Sequence, residues 1–285
     1  MKLMERAVRA LGLLGVAAAV AVGGAAAAAE PLRVGMVPDA GATQVSLEQK
    51  APLQKYLEQQ LGRPVQLIIP TNYNATVEGL GNGSLDVAYL GGLTYVKAHA
   101  RYGVIPLVQR DIDRQFHSLF ITTTNSGVSS LAQLTGRTFC FGDINSTSGH
   151  LYPYLAMKRA GISMDKSLKA FRYTGSHPAT LQGVAAGVCD AGALDETVYK
   201  AMADDKKLPP NLKVFHSVGP FADYVWVARK GLSPRDQQTV AAAFLRLNPA
   251  ADAAVLDILR GRHFIRADDK AYGQVRQVAK ELGLM

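Results

Sequence analysis

TFCFGDINSTSGHLYP, residues 138–153, sets the reading of the whole chain. A short apolar strand, Thr138-Phe139-Cys140-Phe141, runs into a Gly-Asp-Ile-Asn turn, then into Ser146-Thr147-Ser148-Gly149, and then into a helical pattern. Three hydroxyls at the mouth of a helix add side-chain donors to the free N–H groups of the first turn, where the positive end of the helix dipole also lies. Together these form a seat for a compact oxyanion. One serine here would also serve as an ordinary N-cap, so Ser146 and Ser148 read either as caps or as parts of an anion seat.

Working outward from this segment, strands and helices alternate, which argues for α/β architecture with mostly parallel sheets. Before it come strands at 32–37, 64–69, 85–90 and 104–109, with helices at 46–61, 74–81 and 94–100 between them. After Arg114 the pattern restarts with a strand at 119–123, a helix at 128–134, the TFCFG strand and a helix at 149–160. A strand at 169–173, a helix at 178–187 and a strand at 188–194 complete that block. A strand at 224–228 and helices at 234–247, 250–259 and 269–282 close the chain. Two βαβα blocks of similar size predict two lobes. No long Pro/Gly/Ser linker divides them, so the hinge is expected in segments that cross between lobes.

Open α/β sheets bind ligands at the carboxyl ends of their strands. Thr71-Asn72-Tyr73-Asn74, Gly91-Gly92-Leu93-Thr94, the STSG turn, Thr174-Gly175-Ser176-His177 and Asp195-Glu196 all fall there. The glycines of the second turn let backbone approach a ligand closely. Ordinary turns are also rich in Gly, Ser, Asp and Asn, and Asp195 equally reads as a helix cap. His99, His216 and His263 read as ligand-free, and Tyr95, Tyr102, Tyr152 and Tyr154 as packing residues.

The N-terminus predicts export. Lys2, Arg6 and Arg9 precede an apolar run from Ala10 to Val22, and small residues follow at Ala25–Ala29. These are the three parts of a secretory signal, with cleavage expected after Ala29. The run is short for a membrane span, and nothing later reaches about 18 apolar residues. No cysteine stands at the cleavage site, so no lipid anchor is expected. Among 285 residues, 31 Lys and Arg oppose 23 Asp and Glu, for a formal net charge of +8. The basic residues are scattered and form no nucleic-acid motif, so nucleic acid is not an expected partner. An oxidising compartment favours a Cys140–Cys189 disulfide; two buried thiols are the alternative.

The segments VGMVPD, TNYNATVEGLGNGSLDVAYLGGLTYVKA, FHSLFITT, FGDINSTSGHLYP, TGSHPATLQGVAAGVCDAGALDE and PFADYVWVARKGL resemble successive blocks of the phosphate/phosphite/phosphonate-binding periplasmic proteins of ABC transporters. The resemblance implies a type II two-lobed periplasmic binding fold, each lobe a mostly parallel sheet flanked by helices, closing on its ligand like a clamp. Residues 1–29 would be the signal peptide, 30–115 and 221–285 the first lobe, and 116–220 the second. An inner-membrane permease and ATPase would be the partners of a monomeric, non-enzymatic receptor that needs no cofactor and no metal.

Carried over by position, Ser146, Thr147, Ser148 and His177 would hold the oxyanion, with Tyr73 donating from the other lobe and Thr94 nearby. Asp195 and Asp223 match positions that recognise an amine in relatives taking aminoalkyl phosphonates. One departure is Phe116, which stands where an aromatic hydroxyl often lies; His117 would replace part of it. A receptor of this fold that presents arsenite or phosphate to a sensor kinase is the alternative, and arsenite would call for a thiol facing the cleft.

Two other classes compete. A hydrolase built on Ser146 or Ser148, His177 and Asp195 lacks the G-x-S-x-G elbow, because the chain reads Asn145-Ser146-Thr147-Ser148-Gly149. A metal carrier built on His117, His150, His177 and Asp195 lacks tight His spacing.

Overall fold

The structure is a computed structural model that describes residues 30–38 and 47–285. The expected signal segment and the expected helix start at Ser46 lie outside the described residues. Among the described residues no helix is long and apolar enough to cross a membrane.

Eleven strands are described: β1 (Leu32–Met36), β2 (Val65–Ile68), β3 (Val87–Leu90), β4 (Ile105–Arg110), β5 (Phe116–Thr123), β6 (Thr138–Phe141), β7 (Ala170–Tyr173), β8 (Ala191–Asp195), β9 (Leu212–Phe221), β10 (Val225–Ala228) and β11 (Phe264–Arg266). They form two sheets, ordered β11-β4-β10-β3-β1-β2 and β7-β6-β8-β5-β9. The helices are α1 (Ala51–Leu61), α2 (Tyr73–Asn82), α3 (Gly92–Tyr102), α4 (Tyr152–Arg159), α5 (Met164–Ser167), α6 (His177–Ala185), α7 (Glu196–Asp204), α8 (Pro234–Leu245), α9 (Ala253–Leu259) and α10 (Gly273–Glu281). The result is a two-lobed α/β fold.

Each sheet is mixed. β1 pairs in parallel with β2 and β3, and β6 with β7 and β8. β10 enters antiparallel between β3 and β4, and β5 enters antiparallel between β8 and β9. These are the first strands after each crossing: 111–115 leads from β4 into β5, and 222–224 leads from β9 into β10. A strand arriving from the other sheet inserts in the middle, reversed with respect to its neighbours.

Strand alternation builds the second core. Phe120, Phe139, Phe141, Ala191 and Ala193 pack on one face with Met157 and Val128. Ile121, Cys140 and Leu194 pack on the other with Leu181 and Val184. Cys140 is bonded to Cys189, across 49 residues of sequence, with both buried. Cys189 lies in the turn before β8 rather than in a strand.

Two local expectations are corrected, and one strand is added. The helix at 128–134 is only a 3-10 turn, Leu131–Leu134. There the Gln133 side chain takes the N–H groups of Ser129 and Ser130, a local side-chain bond that competes with helix. The helix expected from Gly149 opens as a single π turn over Thr147–Leu151, ahead of α4. The segment 212–221 is strand β9 at the edge of its sheet, where Gly219 and Pro220 are tolerated.

Candidate functional site

The parallel trios fix where the site forms. β6, β7 and β8 run side by side, so the turns that follow them emerge along one sheet edge. Those turns carry Ser146–Gly149, Ser176–His177 and Asp195. In the other lobe, β2 and β3 lead into α2 and α3, whose first residues are Tyr73 and Gly92. The two edges meet: Leu93 N–H donates to Thr147 Oγ1 at 3.0 Å, and Tyr73 N–H to Asp143 Oδ2 at 3.5 Å.

The hydroxyl turn divides its duties. Ser146 caps the π turn, its Oγ accepting from Gly149 N–H at 3.0 Å. Thr147 joins the lobes, accepting from Leu93 and hydrogen bonding the Asp223 carboxylate. Ser148 Oγ is buried with no protein partner, while its carbonyl accepts from Ser118 Oγ at 2.5 Å. The turn thus holds one capping hydroxyl, Ser146, and one buried hydroxyl without a protein partner, Ser148.

His177 opens α6, buried, after the N-cap Ser176. Its Nδ1 accepts from Asp195 N–H at 3.3 Å and its Nε2 faces Tyr224 Oη at 3.1 Å. An Nδ1 that accepts a backbone hydrogen bond leaves the proton on Nε2, which donates to Tyr224.

Asp195 caps α7: one carboxylate oxygen accepts from Thr197 N–H at 2.5 Å, Val198 N–H at 3.0 Å and Thr197 Oγ1 at 2.7 Å. Its other oxygen, Oδ2, is buried without a partner. Burial works to raise its pKa, but the positive charge His177 carries when protonated, the charges of Arg260 and Arg110, and the Thr197 hydrogen bond outweigh it and hold the carboxyl below the usual range.

Asp223 accepts from Gly92 N–H at 2.9 Å through Oδ1, and its Oδ2 is likewise buried without a partner. Burial foremost, with Asp195 and Asp113 adding repulsion, pushes its pKa to about 7 against the Gly92 and Thr147 hydrogen bonds. Gly91 permits the close approach here, since a Cβ would stand 3.3 Å from both Asp223 Oδ1 and Thr147 Oγ1.

Two expected residues serve elsewhere. His117 alternates out of β5 while Phe116 and Ser118 point in; it is half exposed and pairs with Glu196 Oε1 through its backbone N–H at 2.7 Å and Nδ1 at 3.4 Å. It does not replace the hydroxyl missing at Phe116. The Thr94 hydroxyl donates to the Asn145 carbonyl at 3.0 Å, so it joins the lobes.

Sequence reasoning missed Ser118, Tyr224 and an aromatic wall. Tyr224 stacks on Tyr89 at 4.8 Å and meets Phe116 edge-on at 5.6 Å, and Tyr152 stacks on Phe221 at 3.9 Å. Behind the wall the buried Arg110 guanidinium lies 5.2 Å from the Tyr224 ring centre and pairs with Asp113 at 2.5 Å.

The competing arrangements are not assembled. His177 contacts Tyr224 and a backbone amide, and Asp195 directs its bonded oxygen to α7, so no Ser-His-Asp chain forms. Among the described residues no group of three His, Cys, Asp or Glu is placed to hold a metal ion. His150 is engaged by the Ile144 carbonyl and Tyr173. The cysteines are bonded in the core, so neither presents a thiol for arsenite.

The profile of the family described as ABC transporter, phosphonate, periplasmic substrate-binding protein matches residues 34–272. The chain belongs to this family. A probable ABC transporter phosphite-binding protein of Prochlorococcus marinus is 32% identical over 268 residues, covering 88% of this chain and 89% of that protein. A phosphate-import protein of Mycolicibacterium smegmatis is 30% identical over 197 residues, covering 64% of this chain and 61% of that one. The solved structure of PhnD1 from Prochlorococcus marinus in complex with methylphosphonate superposes with a TM-score of 0.82 at 31% identity, covering 89% of this chain and 98% of that one. Family membership makes the chain a periplasmic substrate-binding component of an ABC transporter, and it gives the sensor-kinase alternative no support.

Proposed function

We propose that residues 30–115 with 221–285, and residues 116–220, form two lobes that close on one small phosphorus oxyanion. A phosphonate or phosphite is taken in preference to phosphate. The two sheets draw their strands from these two ranges, apart from Phe221 at the end of β9. The chain acts by binding and release as a monomer, not as an enzyme, after removal of its first 29 residues.

One observation carries the ligand class. Ser148 Oγ is a buried donor, and Asp195 Oδ2 and Asp223 Oδ2 are buried carboxyl oxygens; none of the three has a protein partner, Ser148 follows Thr147, which bonds Asp223, and the charge of Asp195 reaches Asp223. Buried polar groups are costly to leave unpaired. A ligand that completes all three must both accept and donate, as does a protonated phosphite or phosphonate oxygen, or an aminoalkyl phosphonate. To the same site we assign Thr147, which accepts from Leu93 of α3, His177, which meets Tyr224, and Tyr73 of α2, whose N–H meets Asp143. The phosphite and methylphosphonate of the Prochlorococcus relative are ligands of this class.

Calorimetric titration of residues 30–285 with phosphite, methylphosphonate, 2-aminoethylphosphonate and phosphate tests the reading. Tight binding of one of the first three, with phosphate weaker, supports it. Silence from all four, or preference for phosphate, overturns it.

A further inference from the structure

The turn after β6 does more than lead into the hydroxyl cluster. Asp143, Ile144 and Asn145 stand between Phe141 and the Ser146 cap, and two anchors hold them to their own lobe. His150 Nδ1 meets the Ile144 carbonyl at 2.7 Å, while its Nε2 meets Tyr173 Oη at 3.0 Å. A carbonyl can only accept, so Nδ1 carries the proton and Nε2 accepts from Tyr173. The ring is buried, edge-on to Phe141 at 5.3 Å and stacked on Tyr154 at 5.9 Å. Asp143 closes the turn locally, its Oδ1 accepting from Asn145 N–H at 2.7 Å.

From this anchored position the turn reaches the other lobe. Lys97 of α3 donates from Nζ to Asn145 Oδ1 at 2.7 Å, and Thr94 donates from Oγ1 to the Asn145 carbonyl at 3.0 Å. Thr94 and Lys97 lie three residues apart on one helix face, so a single turn of α3 grips a single residue. Lys97 is half buried, and an ammonium drawn from water needs its acceptor. These bonds run from protein to protein, beside the carboxylates and Ser148 rather than among them.

We propose that Lys97 and Asn145 form an interlobe latch, held in register by His150, that sets how long the closed complex lasts whichever anion it contains. The proposal rests on the receptor reading for its ligands, but the latch itself is a property of the closed protein. Lys97→Met keeps the aliphatic stem and removes the ammonium. Asn145→Ala removes the acceptor and keeps the backbone carbonyl for Thr94.

The test measures affinity and dissociation rate for phosphite and for methylphosphonate in the parent, both single variants and the double variant. It also compares small-angle scattering of all four proteins without added anion. Each single variant should weaken both anions alike, by about tenfold, the scale of one hydrogen bond to a charged group. The loss should appear in the dissociation rate, and the double variant should bind no more weakly than the worse single one. Unchanged affinity in both singles, a loss confined to one anion, or additive losses would overturn the latch. If the parent binds neither anion, the receptor reading falls and scattering decides: more extended variants support the latch, and identical profiles overturn it.

Discussion

Gly149 lies against the imidazole of His177: a Cβ on Gly149 would stand 3.1 Å from His177 Cε1 and 2.9 Å from Ser146 Oγ. The glycine is what lets the turn after β6 and the first turn of α6 share one space. The Gly149→Ala protein should therefore displace His177 or break the Ser146 cap. Overpacking of this kind costs about 1–3 kcal/mol. A melting curve and a phosphite titration check it: an unchanged Kd would show that the imidazole can move away freely.

Ser146 and Ser148 should separate stability from binding. Ser146→Ala loses the bond from Gly149 N–H and should cost about 1 kcal/mol of stability, as cap losses do. Ser148→Ala removes a buried hydroxyl that has no protein partner, so stability should hold or rise slightly, while binding weakens by about 1–3 kcal/mol. Denaturant unfolding and calorimetry on the two proteins give the comparison, and equal behaviour in both would count against the division of roles.

Asp223 gives a pH signature. Its folded pKa, pushed up to about 7 mainly by burial, lies above the ordinary carboxyl value. Between the two, the native state holds a proton that the unfolded chain releases. The contribution of Asp223 is thus fully present below the ordinary carboxyl value, falls by about 1.4 kcal/mol per pH unit between that value and about 7, and is gone above it. Asp223→Asn stays neutral throughout and can still accept from Gly92. It should raise the melting temperature over the parent at pH 8, with a smaller difference at pH 5. The same difference at both pH values would show that Asp223 does not titrate there.

The Arg110–Asp113 pair stands at the first crossing and is tied to the second, because the Asp113 carbonyl accepts from Asp223 N–H at 2.9 Å. Arg110 also donates to the carbonyls of Leu259 and Arg260 at the end of α9. Arg110→Met alone leaves a buried carboxylate uncompensated and should cost about 3–5 kcal/mol, whereas Arg110→Met with Asp113→Leu should recover most of that. Urea midpoints for the two variants decide, and a double variant as unstable as the single would show that Arg110 acts through its carbonyl contacts instead.

Removing the Cys140–Cys189 bond opens a 49-residue loop, worth about 4 kcal/mol in the chain-entropy account. The bond links β6, ahead of the hydroxyl turn, to the entry of β8, which ends in Asp195. Cys140→Ala with Cys189→Ala should lower the denaturant midpoint accordingly, and an unchanged midpoint would show that the sheet register alone holds that edge.

The residues of the proposed site were legible wherever their placement is local. The Ser146–Gly149 turn, His177 after its serine cap, and Asp195 at a strand end each announce themselves within a few residues, because a strand end that opens a helix has a recognisable composition. β9 was not legible: its edge position leaves it half solvated, with Lys213, His216, Gly219 and Pro220 interrupting any alternation. Tyr224 and Ser118 were missed because nothing beside them in sequence marks them. Each becomes part of the site through a partner 47 or 30 residues away. His117 was misassigned because one step along β5 reverses the face, a matter of register that the alternating pattern around Phe116 leaves ambiguous.

The sequence by itself therefore determined the α/β class, the strand-end turns and the hydroxyl turn that opens a helical segment, since backbone propensity, helix capping and hydrophobic period act over a handful of residues. Only the tertiary structure decided that the sheets are mixed, that Thr94 and Lys97 grip Asn145, and that two carboxyl oxygens and one serine hydroxyl are buried without a protein partner. Those facts arise where segments far apart in the chain are packed edge to edge, and burial then fixes which polar atoms find a protein partner and which are left for a ligand.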